Sequence, residues 1–171
     1  MSESTRTFEF FGGPQTLVGP GLRPGDPAPD FALLTNRLQT VTLADFAGKP
    51  LLISVVPSLD TGVCSKQTVR FNQAAAELAD RANFITVSAD LPFAQARWCG
   101  SNDVTSMQTL SDHREMAFGQ SYGTYLAAFR LESRAVFVVD GQGVIRYAEY
   151  VPVAGQEPNY DAALAALREA L

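Results

Sequence analysis

The most continuous apolar stretch of the chain is residues 51–56, Leu-Leu-Ile-Ser-Val-Val, fenced by Pro50 and Pro57. A short, partly β-branched run of this kind predicts a strand buried on both faces. Beyond it the period changes. Phe71, Ala74, Ala75 and Leu78 fall at i, i+3, i+4 and i+7, which predicts a helix over 63–80 with one face on a sheet. Residues 83–88 predict the next strand, so 51–88 reads as a strand–helix–strand unit. Asp90 and Pro92 mark a helix start, and a short helix over 93–98 is expected to end near Cys99 and Gly100. Residues 108–111 predict a brief strand, and 115–122 a helix closed by Gly123. Residues 135–139 and 144–151, around a turn at 140–143, carry a hairpin pattern. A final helix over 159–171 puts Tyr160, Leu164, Leu167 and Leu171 on one face. Upstream, 7–11 and 15–18 flank Gly12-Gly13-Pro14 and predict an N-terminal β-hairpin. A proline-rich linker over 19–30, a strand over 40–43 and a single turn at 45–48 follow.

This layout predicts an α/β thioredoxin-like fold: a central mixed β-sheet flanked by helices, preceded by the β-hairpin. The 171 residues fit one domain, 1–171, with 1–19 as a hairpin extension. Lys and Arg number 13 against 18 Asp and Glu, a net charge of −5. With no basic cluster, nucleic acid is not an expected partner. No apolar run approaches the roughly 18 residues of a membrane span. Nor do the first thirty residues hold a secretory apolar core, so the expected compartment is the cytoplasm. Cys64, Cys99 and His113 together are one ligand short of a closed structural zinc site, and no HExxH spacing is present. A catalytic or carboxylate-assisted zinc site is not excluded by that count. His113 reads as a partly exposed loop residue, and Phe71, Phe93 and Trp98 as core or pocket wall.

Candidate chemistry concentrates at Cys64, where the first strand hands over to its helix. Helix N-termini present unpaired N–H groups and partial positive charge, which favour a thiolate, the nucleophilic form of cysteine. In the segment PSLDTGVC, Pro57 ends the strand, Gly62 permits tight turning, and the Thr61 hydroxyl lies three residues before the sulfur. That spacing can aim a hydroxyl and backbone amides into one small pocket.

These residues resemble the peroxiredoxins, and within them the thiol peroxidase subfamily of atypical two-cysteine enzymes. The P-x-x-x-T-x-x-C motif is met by Pro57, Thr61 and Cys64; SADLPFAQARWCG, with Cys99, and SRAVFVVD, with Arg134, are similar to two further subfamily segments. Two departures stand out: TYLAAFRLES replaces a Gly/Pro-containing loop before Arg134, and Trp98 stands where Phe is usual. The resemblance implies that Cys64 is the peroxidatic cysteine, oxidised to sulfenic acid by hydrogen peroxide or alkyl hydroperoxides. It further implies that Thr61 and Arg134 stabilise thiolate and peroxide, that Pro57 shields the pocket, and that Cys99 resolves the sulfenic acid as an intrachain disulfide. Thioredoxin or a similar dithiol protein would reduce that disulfide, with no cofactor (no metal, haem or flavin), and the protein would be a homodimer. Two other readings stay open on the same scaffold: a thiol-disulfide oxidoreductase, disfavoured by the absence of C-x-x-C, and a non-enzymatic redox sensor.

Overall fold

Residues Leu51–Val55 form a strand in which every residue is buried, and the rest of the chain is laid out around it. The computed structural model describes residues 5–171; residues 1–4 of the expected extension lie outside the described residues. The strands are β1 (Thr7–Glu9), β2 (Pro14–Thr16), β3 (Ala32–Leu34), β4 (Thr40–Thr42), β5 (Leu51–Val55), β6 (Asn83–Ser88), β7 (Gln108–Ser111), β8 (Tyr125–Leu126), β9 (Leu131–Glu132), β10 (Ala135–Val139) and β11 (Ile145–Tyr150). The α-helices are α1 (Gly62–Glu77), α2 (Pro92–Ser101), α3 (Ala117–Tyr122) and α4 (Tyr160–Glu169), with a 3-10 turn over Leu43–Phe46.

Seven strands form one sheet in the order β11-β10-β5-β6-β7-β3-β4. Its centre, β5-β6-β7, is parallel, and its outer pairs are antiparallel. Side-chain alternation splits the core into two layers. Leu52, Phe84, Val136 and Val138 pack under Phe71, Trp98 and Leu164, from α1, α2 and α4. Leu51, Ile53, Val55, Phe137 and Val139 face the other way, onto Phe118 and Tyr122 of α3 and onto Phe31 and Phe46. The expected mixed sheet with flanking helices is present.

The N-terminal hairpin of β1 and β2 pairs antiparallel and stays outside the main sheet. Phe8 and Leu17 build a separate small core with Leu126. Backbone bonds from Glu9 N to Pro152 O (2.8 Å) and from Ala154 N to Glu9 O (2.9 Å) dock the hairpin on the stretch after β11. Three strands escaped the periodicity. β3, β8 and β9 have only two or three residues each, too few to display an alternation.

Several expectations are corrected in detail. α2 does not stop at Cys99 and Gly100 but runs to Ser101, because Gly100 has no positive φ and behaves as an ordinary helical residue. Asp90 does not start that helix; Leu91 is its N-cap. Phe93 is 66% exposed rather than core or pocket wall, whereas Phe71 and Trp98 are buried. Leu171 lies past the end of α4 and is exposed, while Ala163, Leu164 and Leu167 form its buried face. Gly123 closes α3 as expected at φ 73°, and a Cβ there would lie 1.9 Å from the Pro20 carbonyl.

Candidate active site

Cys64 is the third residue of α1 and has no exposed surface. Thr61 is the N-cap in extended conformation, so the first amides of α1 have no intrahelical acceptor and lie beside the sulfur's turn. The Thr61 hydroxyl donates to the Ser58 carbonyl at 3.0 Å, closing the loop on itself. Gly62 is not needed for tight turning: its φ is not positive, and a Cβ there would meet nothing within 4 Å.

The loop between β5 and α1 is braced from the neighbouring strand end. Asp90 accepts from the Ser58 hydroxyl and the Leu59 amide, both at 2.8 Å, and from the Ser88 hydroxyl, also at 2.8 Å. A carboxylate receiving three donors fixes the loop far better than the loop's own turn would.

Arg134 directly precedes β10 and is only 2% exposed, the largest fully enclosed side chain of the molecule's core. Its Nη2 donates to Cys64 Sγ at 3.3 Å and to the Ala154 carbonyl at 2.8 Å; its Nη1 donates to Gln67 Oε1 at 2.9 Å. Gln67 in turn donates to the Ser54 hydroxyl at 2.7 Å, tying the guanidinium to the central strand. Among the described residues no carboxylate forms an ion pair with Arg134. The guanidinium charge is therefore left facing the Cys64 sulfur with only neutral oxygens besides.

Pro57 is buried and Thr61 exposed; with Gly62, Val63, Arg134 and Ala154 they line a depression of about 290 Å³ above the sulfur's turn. Phe10 and Phe11 from the N-terminal hairpin complete its rim. Phe10 packs edge-on against Phe11 and Phe129, at 4.6 and 5.3 Å between ring centroids. The mouth is thus apolar and the floor cationic.

Cys99 stands apart from this group, half-buried in the last turn of α2. Its Sγ lies 3.4 Å from the Thr109 hydroxyl, which donates to Asn36 Oδ1 at 3.1 Å. Burial raises the Cys99 thiol above its ordinary value, partly opposed by the hydrogen bonds from Thr109 and Asn36. Both cysteines are free thiols. α1 begins at the C-terminal end of β5, whereas α2 ends near the N-terminal end of β7, so the two thiols belong to opposite edges of the parallel strands. The seven helical steps from Pro92 to Cys99 carry α2 about 10 Å along its axis. His113 lies in a turn, half-buried, outside this group.

Sequence reasoning missed Gln67, Asp90 and the two hairpin phenylalanines. A signal for Gln67 was available: it lies three residues after Cys64 and one turn before Phe71, on the inward face of α1. The roles of Asp90, Phe10 and Phe11 depend on contacts between elements far apart in sequence.

A Redoxin family model matches residues 23–164. The chain is 57% identical over 152 residues to a thiol peroxidase of Bacillus subtilis, covering 89% of this chain and 90% of the relative. It is 51% identical over 160 residues to a thiol peroxidase of Oceanobacillus iheyensis, covering 94% and 97%. Among solved structures, a peroxiredoxin-like protein from Aquifex aeolicus superposes with a TM-score of 0.90 at 37% identity, over 97% of this chain and 98% of that one. With this pattern of likeness running through sequence and fold alike, the chain belongs to the redoxin family and, within it, to the thiol peroxidases.

Proposed function

We propose that this protein is a thiol-dependent peroxidase in which Cys64 is the peroxidatic residue and Cys99 the resolving one. The Cys64 thiolate attacks the terminal oxygen of a hydroperoxide, the O–O bond breaks, and the leaving alkoxide or hydroxide takes a proton to depart as alcohol or water. The product on the enzyme is a sulfenic acid. The Cys99 thiol then attacks that sulfur, a disulfide forms, and the sulfenic oxygen leaves as water. A dithiol protein of thioredoxin type returns two electrons and two protons, without metal or other cofactor.

The observation that carries this reading is the Arg134 guanidinium, enclosed, without a carboxylate partner and 3.3 Å from Cys64 Sγ. It can hold the attacking sulfur and meet the negative charge spreading over the breaking bond. Thr61 and the first amides of α1 offer a polar collar for the peroxide oxygens, and Pro57 keeps water from one side. The aromatic rim suits organic hydroperoxides as well as hydrogen peroxide. Exposed Phe11, Leu91, Phe93 and Phe129 are consistent with a homodimer, and we place the protein in the cytoplasm, where a dithiol reductant is available. Among the described residues no helix is long and apolar enough to cross a membrane. We take residues 1–171 as one functional domain, the 1–19 hairpin extension included because it supplies Phe10 and Phe11 to the pocket.

Peroxide consumption coupled to a thioredoxin system tests the assignment. Turnover should vanish in Cys64→Ser, and Cys99→Ser should consume one equivalent of peroxide without recycling. Full turnover in Cys64→Ser would overturn it.

A further inference from the structure

Two residues before Arg134 lies a carboxyl group that the mechanism above does not use. Glu132, the last residue of β9, has no exposed surface. Its Oε2 accepts from the Thr124 hydroxyl, and its Oε1 receives no hydrogen bond from any N–H or O–H. Both of its oxygens crowd Gly119, within 2.9 Å of where a Cβ would stand, and the Gly119 amide donates to Asp112 at 2.9 Å, so the two carboxyls share one enclosed pocket. Asp112 is itself 4% exposed and already accepts from the Phe118 amide at 3.2 Å and the Gly119 amide at 2.9 Å.

Two buried carboxyls in contact cannot both be ionised without a large cost. One proton between them resolves both difficulties. It turns the orphaned Glu132 oxygen into a donor, and it gives Asp112 a third hydrogen bond. The proton belongs on Glu132, whose Oε1 otherwise has no partner. Among the described residues no basic side chain acts on Glu132: burial raises its carboxyl well above the usual range, Asp112 adds to that by hydrogen bond and by charge, and the Thr124 hydroxyl opposes. From α3, Gly119 makes room for the pair, since a Cβ there would come within 2.8 Å of the Glu132 carboxyl.

We propose that Glu132 is a positioning residue for Arg134: its neutral carboxyl, hydrogen-bonded to Asp112, latches the β8–β9 hairpin onto α3 and so sets where the guanidinium meets Cys64. The mechanical link is short. Thr124 holds the Glu132 side chain through its hydroxyl and the next backbone amide, Ser133 N, through its carbonyl at 2.7 Å. Arg134 follows immediately, and its own carbonyl accepts from Val151 N at 3.0 Å. The hairpin has only two residues in each strand, so its ladder alone gives weak anchorage. Loss of the proton at high pH places two negative charges face to face and opens the latch. Arg134 then loses its fixed approach to the sulfur.

This rests on the peroxidase reading, and its test separates the two. Infrared spectra of the reduced protein at neutral pH should contain a protonated-carboxyl stretch that Glu132→Gln removes; this readout does not depend on activity. The single-turnover rate of Cys64 oxidation, followed into alkaline solution, should fall at least tenfold relative to its neutral value. Glu132→Gln, whose amide can donate to Asp112 at every pH, should abolish that fall. Glu132→Ala should lower the rate already at neutral pH, and only Gln should restore it. No carboxyl band lost in Glu132→Gln, no alkaline fall in the unaltered protein, or the same fall in both proteins would each overturn the proposal. An absence of any peroxide-driven Cys64 oxidation would instead sink the peroxidase reading and leave the infrared result standing.

Discussion

Arg134 shows how much of the site depends on the shape of one side chain. Three acceptors, Cys64 Sγ, Gln67 Oε1 and the Ala154 carbonyl, are reached from two guanidinium nitrogens held in one plane. A lysine ammonium is a point donor and cannot span them. Arg134→Lys is therefore expected to slow peroxide attack by about 10²-fold, comparable to losing one preorganised donor. Stopped-flow oxidation of the reduced protein measures it, and a rate within twofold of the unaltered protein would remove Arg134 from the reacting centre. Cys64, Cys99, Pro57, Thr61 and Arg134 could be singled out in the sequence because each sits in a short local motif, and the structure brings all but Cys99 around one depression. Gln67 shares the inward face of α1 with Cys64 and Phe71, a weaker signal, and its role emerges only where Arg134 draws it in above Ser54. Glu132 and Asp112 were illegible for the same reason: each acquires its meaning from the other, twenty residues away.

At the scale of elements, α2 is the part of the fold that bears on the proposed disulfide step. A disulfide requires Cα atoms within about 7 Å. Cys64 is enclosed at the start of α1, and Cys99 is held by Thr109 near the far end of α2. In the proposed cycle one of the two segments opens, and α2 is the weaker. It has ten residues against sixteen in α1, and its Phe93 is largely exposed. Gly100 weakens it further, at a position where a methyl group would meet nothing within 4 Å. Gly100→Ala should stabilise the helix by about 1 kcal/mol. If opening of α2 precedes disulfide formation, that change should slow the second step about fivefold and leave the first, peroxide-dependent step unaltered. Amide exchange should also be faster around Cys99 than in β5. Equal disulfide-formation rates in the two proteins would show that α2 need not open. The sequence revealed this helix through Pro92 but placed its end early, because Gly100 reads as a terminator; burial of Trp98 on the sheet carries it one turn further.

The molecule as a whole is a sheet whose strongest elements were plain in the sequence and whose functional attachments were not. β5, β6, β10, β11, α1 and α4 announce themselves by length and period. The β8–β9 hairpin and the docking of β1–β2 depend on a few tertiary bonds, and both border the active site. Such an arrangement lets a single buried proton affect the entire fold. Glu132 holds its proton more tightly when folded than when unfolded, so the native state binds the extra proton and folding stability must fall as pH rises. The sign is opposite to that of a salt-bridged carboxylate. The contribution is fully present below about pH 4.3, the carboxyl's unfolded value, and declines above it by up to about 1.4 kcal/mol per pH unit until the folded value is passed. Other titrating groups add their own slopes, and comparison with Glu132→Gln cancels them. Denaturant unfolding of both proteins across a pH series should therefore give a stability difference that moves steadily in favour of Glu132→Gln as pH increases. A difference that stays constant with pH would mean that Glu132 is equally protonated folded and unfolded, and that no latch of this kind supports the site.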